Sequence, residues 1–253
     1  MDAASRLARF ARLLARPDDE LELDAIGLVL GDWEAAADER ADDGVIAAGR
    51  ARLDALAAAA ARRAATAAAP WAGARAVAHT LFVEAGFHGD HVDYLDPRAS
   101  FLGEVLVRRT GLPIALAVLF LEVARRIGVA ARGIGLPGHF IVRVDADPVD
   151  GPAGEVLLLD PFHRGRVLTE DDARAQARRA GGPDAEHDPG LLSPAPPRAI
   201  VARMLRNLAG VYGRAGDLER SVEVLERQAL VEPHNPAFAD RAGRAAGAAR
   251  RLN

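Results

Sequence analysis

His139 and Asp160 are the two residues best placed to do chemistry. His139 sits at the start of the apolar run in LPGHFIVRV (136–144), and Asp160 ends that in EVLLLDPFHRG (155–165). An imidazole takes a proton from a nucleophile while a carboxylate fixes the ring's orientation. Ahead of both lies GLPIALAVLFLEVARRIGVAAR (111–132), apolar on nearly every face from 113 until Arg125 and Arg126. Helix N-terminus, strand with His, strand ending in Asp is the order of a Cys-His-Asp acyl-transfer site. In such a site the helix dipole and the histidine favour the thiolate. This chain has no cysteine, so thiol chemistry, disulfides and thiolate metal sites are excluded. Both residues also have a plain structural account. His139 can be a strand-end histidine bonded to Asp160, and Asp160-Pro161 a strand terminator.

Other polar residues are weaker candidates. Ser100 completes a Ser-His-Asp set only if its loop folds over the pocket. Arg108 and Arg109 near such a pocket suit a carboxylate or phosphate, although a solvated helix end is the favoured account of them. His163, beside Arg164, is a surface-turn residue that could help hold a metal. GFHGDHVDYLDPRAS (86–100) contains His88, Asp90, His91 and Asp93, but their spacing matches no metal motif. It reads as a solvated loop. No metal site and no cofactor are assigned.

These residues need a scaffold, and 253 residues suffice for a large core. Half the residues are hydrophobic and the net charge is −4. All basic residues are arginine, which excludes a Schiff-base lysine, a Ser-Lys dyad and a Walker lysine. The arginines are dispersed among a slight excess of acids with no aromatic platform, which disfavours nucleic acid. No apolar stretch is long enough for a membrane span. The first twenty residues lack a signal peptide's apolar run, and the location expected is cytoplasmic.

The fold class expected is α+β: mostly helical, with a small antiparallel sheet packed on the buried helix at 113–127. Helices are expected at 3–16, after Asp18 or Asp19 as cap, at 44–68, 74–85 and 101–109. Gly86 and Gly128 suit helix ends, and Pro113 suits a first turn. Strands are expected at 130–135, 139–145 and 155–160, the last two joined by a long connection over 144–152. Thr169 with Asp172 resembles a capping box. The division expected is a helical region 1–70, bounded by Pro70, a core 71–180, a Pro/Gly-rich linker 181–197, and helices in two or three short pieces over 198–253.

The pattern resembles the transglutaminase-like superfamily. It looks most like the SirB-type bacterial family, in which such a core precedes tetratricopeptide-like helices. The resemblance rests on Gly86-Phe87, Tyr94, Ser100-x-Leu102, Val105-Leu106-x-Arg108-Arg109, Gly111-Leu112-Pro113-Ile114 and Arg126-x-Gly128. It continues through Pro137-Gly138-His139-Phe140, Asp160-Pro161-Phe162, Gly165, Arg203-Met204-Leu205-x-Asn207-Leu208 and Tyr212. Leu208, Ala209, Tyr212, Gly216, Leu225 and Pro233 fall at the spacing of one tetratricopeptide helix pair. Against a Gly-x-Cys-x-x-x-Ala pattern, Gly111 and Ala117 are in step and Pro113 occupies the cysteine position. Ala115 excludes a substitute hydroxyl there.

The resemblance implies a non-catalytic protein with a regulatory or accessory role, binding a protein partner or a small ligand in a vestigial pocket. Ser100, Arg108, Arg109, His139, Asp160 and His163 are the binding candidates. One alternative is a hydrolase or amidase that activates water with His139 and Asp160, or with a metal held by His163. Another is a purely structural helical scaffold.

Overall fold

The computed structural model describes residues 2–31, 41–66, 71–91, 95–146 and 155–252. Pro70, Asp93, Tyr94 and most of the 144–152 connection lie outside the described residues.

The molecule is built around helix α6 (Pro113–Arg126), with Pro113 in its first turn. Every residue from Pro113 to Ala124 is buried, as an all-round apolar helix requires. Gly128, at a φ of 76°, turns the chain out of it.

Among the described residues five helices pack on α6: α2 (Leu23–Val29), α3 (Ala41–Ala64), α4 (Ala72–His79), α5 (Leu102–Arg108) and, further on, α8 (Pro197–Ala215), while α1 (Ala3–Leu14) packs on α2. β1 (His88–Gly89) and β2 (Thr110–Gly111) form a short parallel pair between α4 and α6. Then β3 (Ala131–Leu136), β4 (His139–Asp145), β5 (Val156–Asp160) and β6 (Arg166–Leu168) form an antiparallel meander in chain order.

This sheet is covered on both faces. Phe140, Val142, Val144, Leu157 and Leu159 join the α6 core, whereas Ile134, Leu136, Ile141, Leu158 and Leu168 pack with Ala173 and Ala177 of α7 (Glu170–Gly181). Burial on both faces is why β4 and β5 read as nearly continuous apolar runs. The α7 capping box expected at Thr169 is present, with the Thr169 hydroxyl and the Asp172 carboxylate exchanging backbone bonds.

Residues 181–197 lie against the sheet. Leu191 is buried in the outer cluster, and the Ala195 N–H donates to the Gly133 carbonyl at 2.8 Å. The remainder forms α8, α9 (Leu218–Val231) and α10 (Pro236–Leu252). These helices have 19, 14 and 17 residues, longer than the short pieces expected. One apolar cluster runs from Phe10 of α1 to Val231 of α9.

One cap expectation is corrected. Asp18 and Asp19 lie in a short 3-10 turn, and α2 begins only at Leu23. Asp18 is instead taken by Arg198 of α8, whose Nε donates to Oδ1 at 2.7 Å.

Candidate functional site

His139 is held by a tight turn. Leu136 and His139 face each other across β3 and β4, joined by Pro137-Gly138. Gly138 adopts a φ of 65°, which glycine supplies at low cost after a proline that presets its own φ. Arg203 of α8 braces this turn. Its Nη2 donates to the carbonyls of Leu136 at 2.6 Å and His139 at 2.7 Å, and its guanidinium lies 5.5 Å from the Phe140 ring centre. Arg203→Ala should therefore lower stability by about 2–4 kcal/mol, since a bond from a charged donor contributes roughly 1.5–3 and the two here share one nitrogen. Urea unfolding checks this. Arg203→Lys should recover only part, because an ammonium lacks the planar fork.

Asp160 ends β5 and is 2% exposed. Its Oδ1 accepts from His139 Nε2 at 2.9 Å and from the backbone N–H groups of Phe162 at 3.1 Å and His163 at 3.3 Å. Its Oδ2 accepts from His163 Nδ1 at 2.7 Å. Burial pushes the Asp160 carboxyl up. The hydrogen bonds and charge of His139 and His163 outweigh burial and hold it below its ordinary value. An ionised carboxylate only accepts, so both facing ring nitrogens carry hydrogen. His139 Nδ1 has no hydrogen-bond partner among the described residues.

The 86–100 loop is not simply solvated. The Gly89 N–H donates to the Phe162 carbonyl at 2.9 Å, and Asp90 N–H to the Gly111 carbonyl at 3.1 Å. Gly89 allows this approach, because a Cβ there would stand 2.5 Å from the Phe162 ring. The Leu112 N–H then bonds to the Ala99 carbonyl at 2.8 Å. The loop, the start of α6 and the turn after β5 thus meet. Phe162 stands steeply inclined to the rings of His91, His139 and His163, with ring centres 4.6, 5.8 and 5.2 Å away.

A cleft of about 280 Å³ opens beside this cluster, lined among others by Pro113, His139, Arg203, Arg206, Asn207 and Arg214. Arg206 bonds Glu232 at 3.3 Å, and Arg214 has no ionic partner among the described residues. The structure therefore brings His139, Asp160 and His163 together. Of the six candidates His139 alone lines the cleft, with Asp160 and His163 behind it. Ser100 is buried with its Oγ unbonded. Arg108 donates to Asp96 at 2.8 Å. Arg109 ends α5 at a φ of 61° and offers its carbonyl to His88. Sequence reasoning missed the arginines of α8, which read as a polar helix face. From the sequence His91 reads as part of a solvated loop, because its ring partner Phe162 lies some seventy residues on. The only available signal for Arg203 was its place in the Arg-Met-Leu-x-Asn-Leu pattern.

The family described as the transglutaminase-like superfamily matches residues 47–206, well over half of the chain. A UPF0162 protein of Xylella fastidiosa is 42% identical over 164 residues, 64% of this chain and 56% of that protein. A UPF0162 protein of Pseudomonas aeruginosa is 37% identical over 134 residues, 53% of this chain and 46% of its own length. F-box only protein 21 of Homo sapiens is 31% identical over 96 residues, 37% of this chain and 15% of its own length. The chain spans about half the length of the bacterial relatives it matches. No solved structure gives a significant match.

Proposed function

The chain belongs to the transglutaminase-like superfamily, and we propose that it is a non-catalytic member that works by binding, in a regulatory or accessory role. The observation that carries this reading is position 113. Pro113 occupies the first turn of the buried helix and lines the same cleft as His139, in a chain without any thiol. Proline supplies neither a nucleophile nor an N–H for an oxyanion.

The cleft's chemistry favours an anionic group, a carboxylate on a small ligand or on a partner's chain end. Arg206 and Arg214 offer charge and forked donors, and the α6 N-terminus adds a favourable dipole. We read α8 and α9 as the tetratricopeptide-like pair of a SirB-type arrangement, with 71–180 as the core and 181–197 as its connection to them. The bracing of the His139 turn by Arg203 supports a role for α8 in shaping the site.

Calorimetry against a panel of dicarboxylates and short peptides tests this. A ligand that binds the full chain should bind Arg214→Ala at least about tenfold more weakly, the loss of one charge-assisted bond. Binding left unchanged by both Arg214→Ala and His139→Ala would remove the cleft from the account.

The intact His139–Asp160 contact supports a second reading, in which His139 activates water for hydrolysis of an ester or amide. Turnover separates the two.

A further inference from the structure

We propose that His139, Asp160 and His163 form a binding site for a divalent transition-metal ion of the zinc or ferrous-iron type. Each of His139, Asp160 and His163 offers one ligand atom, and the three atoms lie within 4.8 Å of one another. The two nitrogen–oxygen contacts are 2.9 and 2.7 Å. An ion roughly 2.0–2.2 Å from each ligand needs neighbouring ligand atoms about 3–3.5 Å apart. The ion would take the place of both facing ring hydrogens, each neutral imidazole then carrying its hydrogen on the other ring nitrogen, and a modest turn of the rings would set that spacing. Two imidazoles and one carboxylate form the donor set of open zinc sites and of non-haem ferrous sites.

Two further features separate this cluster from a plain orienting pair. Orientation of His139 needs one oxygen of Asp160, yet a second imidazole occupies the other. The carboxylate is also fixed from behind by the N–H groups of Phe162 and His163, the kind of support that aims a metal ligand. The site has an entry path, since the His163 side chain is 47% exposed. His91 stands beyond it, 5.8 Å from His163 between ring centres, within reach of a further coordination position. The inference goes beyond the binding reading of the cleft and does not depend on it.

The test uses the untagged full chain, stripped with chelator and titrated with cobalt(II) as a spectroscopic probe. One equivalent should produce visible ligand-field bands, be displaced by zinc, and raise the melting temperature by mass action. His163→Ala, which removes a half-exposed side chain, should weaken cobalt binding by more than about 100-fold, beyond the loss expected for a supporting residue. Asp160→Asn should do the same where it folds, and His187→Ala, an exposed histidine outside the cluster, should bind normally. No ligand-field spectrum in the stripped protein, or an unchanged one in His163→Ala, would overturn the proposal.

Discussion

Asp24→Ala is expected to lower stability by about 3–5 kcal/mol, the loss typical when one partner of a buried ion pair is removed. Asp24 is 1% exposed on α2. It accepts from Arg126 of α6 at 2.7 Å and from Arg50 of α3 at 3.0 and 3.1 Å. Arg126 also bonds Glu122 and Asp54. This cluster ties two flanking helices to the end of the central one. Burial raises the Asp24 carboxyl, but the Arg50 and Arg126 bonds outweigh it and leave it below its ordinary value. Truncation removes the carboxylate that Arg126, 12% exposed, shares with Arg50 and that joins α2 to both helices. Asp54→Ala, by contrast, removes a carboxylate that is 67% exposed from the same arginine and should change stability by less than about 1 kcal/mol. Urea unfolding of the two variants side by side decides the point. Equal, small losses would mean that water solvates the cluster.

Asp160→Ala should cost about 2–4 kcal/mol, because it orphans two ring nitrogens and two backbone N–H groups at once. Its acid dependence has a definite sign. The folded carboxyl lies below its ordinary value of 3.8, so the unfolded chain takes up this proton first as pH falls. The stability contributed is complete above the unfolded value and is lost as pH drops through the folded one. Asp160→Asn should therefore flatten the stability profile in that acid window. An unaltered acid limb would show that Asp160 is not the linked group.

The elements at the centre were legible because local and tertiary signals agree there. The buried helix has an apolar sequence, a proline where no N–H is needed, and Gly128 where the backbone turns left-handed. The Thr169–Asp172 cap is likewise local, and it formed as its spacing implies. The strands carrying His139 and Asp160 showed in their β-branched and leucine runs. β1 and β2 did not, since two residues each are too few for any period. β6 is largely exposed and has no alternating pattern. Asp18 failed as a cap because an arginine 180 positions away claims it.

The same limit governs the site. The pairing of His139 with Asp160 was an inference from order along the chain and from the family resemblance. His163, three residues beyond Asp160, looked like a turn residue until the chain reversal after β5 aimed its ring back at the carboxylate. Arg203, Arg206 and Arg214 recur near helical spacing on α8, a pattern common to any solvated face. Only the docking of α8 beside the His139 turn makes them line a cleft.

The central claim is that this site binds without turning over. The most direct measurement is a set of steady-state ester, amide and transamidation assays on the purified full chain, run beside His139→Ala and repeated with zinc added to both. The account predicts no turnover above buffer in any sample. Turnover by the unaltered chain that disappears in His139→Ala would contradict it, and would show that the His139–Asp160 pair still drives a reaction with water as the nucleophile.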